Sequence, residues 1–327
     1  MRYPILGLAI AAALAACGGG GDDDDDGDQQ DDGGGNLPTT PPTEVSMVAS
    51  GGFQSPMDAV SSPDGEKFFF SGYTDEAPPR PAIFSVAASG GSVDTLVAGL
   101  PLEHPAGLLM SADGSTLYVA DIGTHAGEAG DDGADSTQSV MYTLSADGGA
   151  LAPLAAEGIA EASGMALGAD GETLYITGFN ASGQPGLFTL SASGGSASEI
   201  LVGAPLESPS GIYVDSDNVA WVMDHNPSRG LGGSLSAITA DGQATEVVAG
   251  LNLAHPGGVS LVAGGGTAVI PNIDDDGAGR LTSVNIESGE QTVLASPMKA
   301  PGGIRTARQA GVFAIADTEG DAVFLAR

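Results

Sequence analysis

The chain has 327 residues, 42% of them apolar and 5% aromatic, and its 42 Asp and Glu against nine Lys and Arg give a net charge of −33. That charge excludes an electrostatic grip on nucleic acid and adsorption to an anionic bilayer, and it favours cations or basic partners. The single cysteine, Cys17, excludes an internal disulfide.

The first segment reads as an export signal. Arg2 precedes an apolar stretch from Ile5 to Ala13 that is too short to cross a bilayer as a helix. It ends in Leu14-Ala15-Ala16-Cys17, which resembles the lipobox of bacterial lipoproteins. The resemblance implies that residues 1–16 are cleaved and that the Cys17 sulfur carries the lipid, so the membrane is reached through that anchor. Gly18 stands where enteric lipoproteins kept in the inner membrane carry Asp. The resemblance therefore points to the outer membrane, on its periplasmic or surface side.

Residues 17–43 are mostly Gly, Asp, Gln, Pro and Thr, with Asp22 to Asp26 in one run. They cannot bury enough apolar surface to offset chain entropy, which predicts a disordered acidic tether. About 26 residues of random coil span roughly 30 Å. Eight acids and Arg2 lie before residue 44, so residues 44–327 keep 34 acids and eight bases, a charge of about −26. This charge also keeps an exported monomer soluble.

From residue 44 onward one phrase recurs six times: Pro or Ser, a small residue and Gly, followed by two apolar strands. Its copies are Ser55-Pro56-Met57-Asp58, the most degenerate, then His104-Pro105-Ala106-Gly107, Ala162-Ser163-Gly164, Ser208-Pro209-Ser210-Gly211, His255-Pro256-Gly257-Gly258 and Ala300-Pro301-Gly302-Gly303. The spacing is that of a four-stranded blade and predicts an all-β fold, a six-bladed β-propeller. Strands are named a to d outward from the axis. Turns such as Asp113-Gly114 and Asp170-Gly171 separate a from b, while Gly90-Gly91 and Gly194-Gly195 separate c from d. Strand b is a continuous apolar run, as in Phe68-Phe69-Phe70 and Leu174-Tyr175-Ile176, which suits a strand covered on both faces. Aromatic residues being few, Leu, Val, Ile and Ala are expected to pack the blades.

The sixth repeat stops after strand c. Thr43 to Gly51 resembles Ala244 to Gly250, a strand d, and so is predicted to complete the last blade and close the ring. The tether then enters on the face of the a-to-b and c-to-d turns, and the d-to-a and b-to-c loops look away from the membrane.

Chemistry-bearing residues gather on that outward face. His104 and His255 open strands a, His125 and His225 lie in b-to-c loops, and Asp121, Asp224, Asn272 and Asp317 end strands b. Together they could ring the channel mouth and hold a ligand or a metal, Ca²⁺ or another divalent cation. The alternative is that strand-end Asp and Asn cap turns by accepting backbone N–H bonds. Two acidic loops, Asp131, Asp132 and Asp135 in blade two and Asp274, Asp275 and Asp276 in blade five, offer oxygens for calcium, or form solvated turns. Ser296-Pro297-Met298-Lys299 and Ser216-Asp217-Asn218 match motifs of penicillin-recognising serine enzymes, but in reversed order and in β connections where a helix is needed. Catalytic residues stay unassigned.

The anchor phrase followed by a strand b ending in Ala-Asp, as in Pro105-Ala106-Gly107 through Ala120-Asp121, resembles the NHL-repeat and gluconolactonase/regucalcin-like (SMP-30-type) propellers. The lactonases of that family hold a divalent cation with a Glu in the first strand a and Asn or Asp inside later phrases. Here Gln54 replaces the acid, and Ala106, Ser163, Ser210, Gly257 and Gly302 stand at the other positions. Two functions stay open: a binding or interaction module for a protein, a glycan or a small molecule, favoured by those departures, and a metal-dependent lactonase-like hydrolase or lyase with a relocated site.

Overall fold

The computed structural model describes residues 38–123, 139–225, 232–254 and 257–327. Their regular structure is all strand, arranged as six antiparallel sheets of propeller-blade connectivity and one short parallel pair, Ala156–Glu157 with Gly195–Ser196. In blade two the order is Pro105–Met110, Thr116–Asp121, Val140–Ser145 and Ala152–Leu154, each strand paired with the next. The other blades repeat this, except that strand a of blade one is split into Phe53–Gln54 and Ala59–Ser61.

The anchor phrase is a β-bulge. Pairing of strand a with strand b slips between Pro105 and Gly107, Ala162 and Gly164, Pro209 and Ile212, and Pro301 and Ile304. Proline has no N–H to give a ladder, so a bulge at the start of a strand is where it fits. Turn chemistry agrees with the sequence as well: Gly65, Gly114 and Gly171 take φ of 76°, 74° and 69° in the a-to-b turns, and Asn218 takes 58° in blade four. Asn is the residue that best tolerates this left-handed conformation after Gly.

The closing strand is Val45–Ser50. It pairs antiparallel with Ala322–Ala326, strand c of blade six, in a register running from Val45 opposite Ala326 to Ser50 opposite Ala322. Arg327 N donates to Glu44 O at 3.1 Å, and Thr43 N and Glu44 N donate to Arg327 O. Just before this strand, Pro38 O accepts a bond from Ala263 N, in the a-to-b turn of blade five, at 2.7 Å. The chain thus enters the ring from the turn face.

The core lies between blades, and one expectation is corrected there. Eight of the nine Phe are buried. Six of them, Phe68, Phe70, Phe84, Phe188, Phe313 and Phe324, are among the largest fully buried side chains. Phe53, Phe70 and Phe84 pack with ring centroids 4.6 to 5.9 Å apart and meet Ala314, Ala316 and Val323 of blade six. Each buried Phe contributes about 1.5–3 kcal/mol. A low aromatic fraction says little about where the few aromatics go, and here they concentrate at the junction that closes the ring. Between blades two and five the packing is mostly Leu, Val, Ile and Ala, as expected, joined by Met165, Met223, Phe188, Tyr175 and Trp221.

Candidate functional site at the axis

The residue after the phrase glycine points into the blade interfaces: Leu108, Met165, Ile212, Val259 and Ile304, with Ala59 in blade one, are all fully buried. The phrase itself faces the axis, where the blades converge tightly. A Cβ on Gly107 would stand 2.6 Å from Ser163 O, and one on Gly258 would stand 2.6 Å from Ile304 N. A Cβ on Gly164 would strike Ser210 O, and one on Gly211 would strike Gly257 O. Gly211 N donates to Gly257 O at 2.8 Å, and Thr177 Oγ1 donates to Ser210 O. Glycine recurs because each inner strand packs directly on the backbone of the next.

Blade one breaks the rule, with Asp58 in the glycine's place. Its carboxylate accepts Leu108 N of blade two at 3.0 Å and Ala59 N at 2.9 Å. It also lies 3.5 Å from Arg305 Nη2 of blade six. Both side chains are buried. Burial pushes the Asp58 carboxyl up, and Arg305 with the two amides pulls it only part of the way back. Arg305 also sends Nη1 to Ile304 O at 2.9 Å and Nη2 to Met165 O at 3.4 Å, while its buried Nε has no acceptor. Together Asp58, Arg305 and the phrases leave a cavity of about 10 Å³ on the axis, scarcely one water's worth.

The strand-end acids turn outward loops back onto their own blade. Asp121 accepts Glu103 N at 2.8 Å, His104 N at 2.9 Å and Gly123 N at 2.9 Å. Asp224 accepts Glu207 N at 2.9 Å and Ser208 N at 2.7 Å, and Asp317 accepts Lys299 N at 2.9 Å and Ala300 N at 2.7 Å. In blades two, four and six a buried carboxylate thus clasps the d-to-a loop. Blade three has Gly178 at this position, packed against Glu161, because its strand a begins early at Ile159 and occupies the place of the loop. Blade five has Asn272, whose Oδ1 accepts Thr282 Oγ1 at 2.8 Å. The capping alternative of the sequence accounts for the bonds of the three aspartates, while Asn272 accepts a hydroxyl in place of a backbone N–H.

The histidines are held separately. His104 Nδ1 shares a 2.7 Å hydrogen bond with Tyr73 OH, so its ring turns to blade one while its backbone meets Asp121. His225 lies beside Gly257 of the next blade, whose added Cβ would be 3.2 Å from Nε2. In the loop of blade five Asp274 accepts Asp276 N at 3.0 Å and Ala278 N at 2.8 Å and pairs with Arg280 at 2.7 Å. The Ala278 amide holds its carboxyl below the usual range against the opposing effect of burial, with Arg280 and the Asp276 amide adding to the lowering. Asp275 and Asp276 are exposed. Among the described residues no three His, Cys, Asp or Glu come together as a metal centre. Cys17, His125, Asp131, Asp132, Asp135 and His255 lie outside the described residues.

On the turn face the axis ends in a second cavity of about 50 Å³, lined by Val60, Pro63, Leu109, Arg305, Thr306 and Arg308 among others. Sequence reasoning singled out neither arginine. The signal was positional: two residues past the phrase glycine the other blades carry Val60, Leu109, Ala166, Tyr213 and Ser260, the first four packed in blade interfaces, where blade six carries Arg305.

No protein-family profile matches the chain, and no curated protein matches it. Solved structures do match in fold. A structure of a nidogen/laminin complex superposes with a TM-score of 0.56 at 16% identity, covering 75% of this chain and 85% of that one. A protein of unknown function from Bacteroides thetaiotaomicron gives 0.61 at 15%, covering 87% and 72%. A candidate gluconolactonase gives 0.59 at 14%, covering 89% and 94%. At such identities the likeness is one of fold, that of the NHL-repeat and gluconolactonase/regucalcin-like six-bladed propellers.

Proposed function

We propose that this chain is an exported, lipid-tethered propeller that acts as a binding module through its outward d-to-a and b-to-c loops. The observation that carries the reading is the closed axis. The anchor phrases, which in lactonases of this fold bear the metal ligands, here press backbone on backbone and leave about 10 Å³. Asp121, Asp224 and Asp317 are engaged with loop amides. The scaffold is thus stiff and filled at its centre, and its variation lies in the outward loops, where such folds place recognition. A protein partner is the class to test first: a nidogen/laminin complex is among the structures of similar fold, and the charge of −33 favours a basic one.

The entry of the chain at Pro38 on the turn face supports an orientation with the outward loops away from the membrane. Lipid attachment is checked by acyl labelling of the expressed protein, which should be lost in Cys17→Ser.

The functional test pairs two assays on the full chain. A photo-crosslinker at Leu100, 82% exposed in an outward loop, should trap a partner in cells, whereas one at Asp64 in an a-to-b turn should not. Lactone hydrolysis with Ca²⁺, Mn²⁺ or Zn²⁺ added should stay at the buffer rate. Turnover that depends on the added ion and vanishes with EDTA would replace the binding reading with the hydrolase.

A further inference from the structure

The turn-face cavity combines features that the binding reading does not use. It has about 50 Å³ of space, enough for roughly three to five waters and therefore for one small oxyanion rather than a sugar or a base. Two of the nine basic residues of a strongly acidic chain line it, Arg305 and Arg308. Arg305 is buried, and its Nε–H has no acceptor. A buried, unmet charged donor is rare enough to require an explanation. Arg308 is half-buried and makes no ion pair or hydrogen bond among the described residues. Burial lowers its affinity for the proton, and the nearby Tyr213 phenol opposes this. Thr306 Oγ1 accepts Ser260 Oγ at 3.2 Å, so its own proton is left to donate.

We propose that this cavity binds a small oxyanion, a phosphate or carboxylate group, between the guanidinium groups of Arg305 and Arg308. A guanidinium presents paired N–H donors in a plane that matches two oxygens of such a group. Asp58 does not cancel the site. It meets Arg305 through Nη2 at 3.5 Å, and its raised proton affinity weakens its claim on the cation. Asp215, whose charge acts on the same Tyr213 phenol as Arg308, accepts Trp221 Nε1 at 2.9 Å, and Asp64, next to the lining Pro63, accepts Glu66 N at 3.0 Å. Free phosphate or carboxylate could fill the site. So could the phosphate of a lipid headgroup, because the chain enters the ring on this face at Pro38; that source alone rests on the lipid-tethered orientation proposed above.

The experiment uses the full chain carrying Cys17→Ser, so that no acyl group brings it to vesicles. Thermal shift and calorimetric titration with inorganic phosphate and with acetate, at constant ionic strength, should show saturable binding. Arg308→Gln, at a half-buried position that leaves the Asp58 contact intact, should weaken it at least ~10-fold, the effect of losing one charge-assisted hydrogen bond. In the second arm, co-sedimentation with vesicles containing phosphatidate, against phosphatidylcholine alone, identifies a headgroup as the source if only phosphatidate retains the chain and Arg308→Gln releases it. Absence of saturable binding in both arms, or binding unchanged in a folded Arg308→Gln, would overturn the proposal. Loss of lactone or partner results would leave it standing, since neither assay reads this cavity.

Discussion

Replacing Asp121 by Ala separates a structural clasp from a metal ligand. Asp121 is 2% exposed and accepts three backbone N–H groups, those of Glu103, His104 and Gly123. Hydrogen bonds to a charged group contribute roughly 1.5–3 kcal/mol each, but an outward loop can shift and let water reach some of the freed amides. Taking about half the maximum gives a loss of about 4 kcal/mol, or about 8 °C in Tm at about 2 °C per kcal/mol for a domain of this size. Asp121→Asn, which keeps one acceptor oxygen and turns a donor towards the remaining amides, should fall between wild type and Ala. The assay is thermal unfolding followed by circular dichroism, run with EDTA and with Ca²⁺. If Asp121 clasps the loop, the loss is the same in both, and exposed Asp275→Asn changes nothing. A Tm equal to wild type would refute the clasp. A loss that appears only with Ca²⁺ present would make Asp121 a ligand.

Other outcomes follow from the same geometry. Deleting residues 44–50 should abolish cooperative unfolding and expose the chain to protease, because strand c of blade six loses its partner and the Phe53 cluster loses part of its cover; unchanged melting would refute ring closure. Gly107→Val should destabilise by at least ~3 kcal/mol, since even a Cβ would stand 2.6 Å from Ser163 O, and urea unfolding reads this directly. Asp58 should make stability fall as pH rises. Its folded carboxyl holds a proton more firmly than the unfolded one, so from about pH 4 up to the raised value the native state is the more protonated, and deprotonation costs stability. Asp58→Asn should remove that decline, and parallel stability profiles for the two proteins between pH 4 and 7 would refute it.

The ring was legible because repetition amplifies weak signals. One Asp-Gly is an ordinary turn, but several at blade spacing describe an architecture, and the likeness of Thr43 to Gly51 to a strand d located the closure. The phrase glycine was legible as a marker, not as a contact: its cause is a carbonyl in the next blade, some 50 residues away, which no local pattern encodes. Asp121, Asp224 and Asp317 could be placed at strand ends, but whether they bind loop amides or an ion depends on where the loop amides point. The axial pair was the least accessible. Asp58 and Arg305 are 247 residues apart, and each is a single departure from its repeat. Departures look like noise until the repeats are superposed in space, where both prove to lie on the axis. The histidines invited the opposite error, since sharing a face does not bring imidazoles together: His104 is bonded to Tyr73 of blade one and His225 lies beside Gly257 of blade five.

The strand Val45–Ser50 is made before any blade exists, yet its partner Ala322–Ala326 follows every other strand of the ring. A chain emerging N-terminus first therefore carries an unpaired strand edge until the sixth blade is made. Contacts that join residues 45 and 326 belong to the slow, long-range class of folding events. Until that pairing forms, the half-built ring is the state most open to proteases and to pairing with a second chain. The aspartates at 22–26, 28, 31 and 32 precede that strand in the sequence, and their like charges oppose those of a second copy.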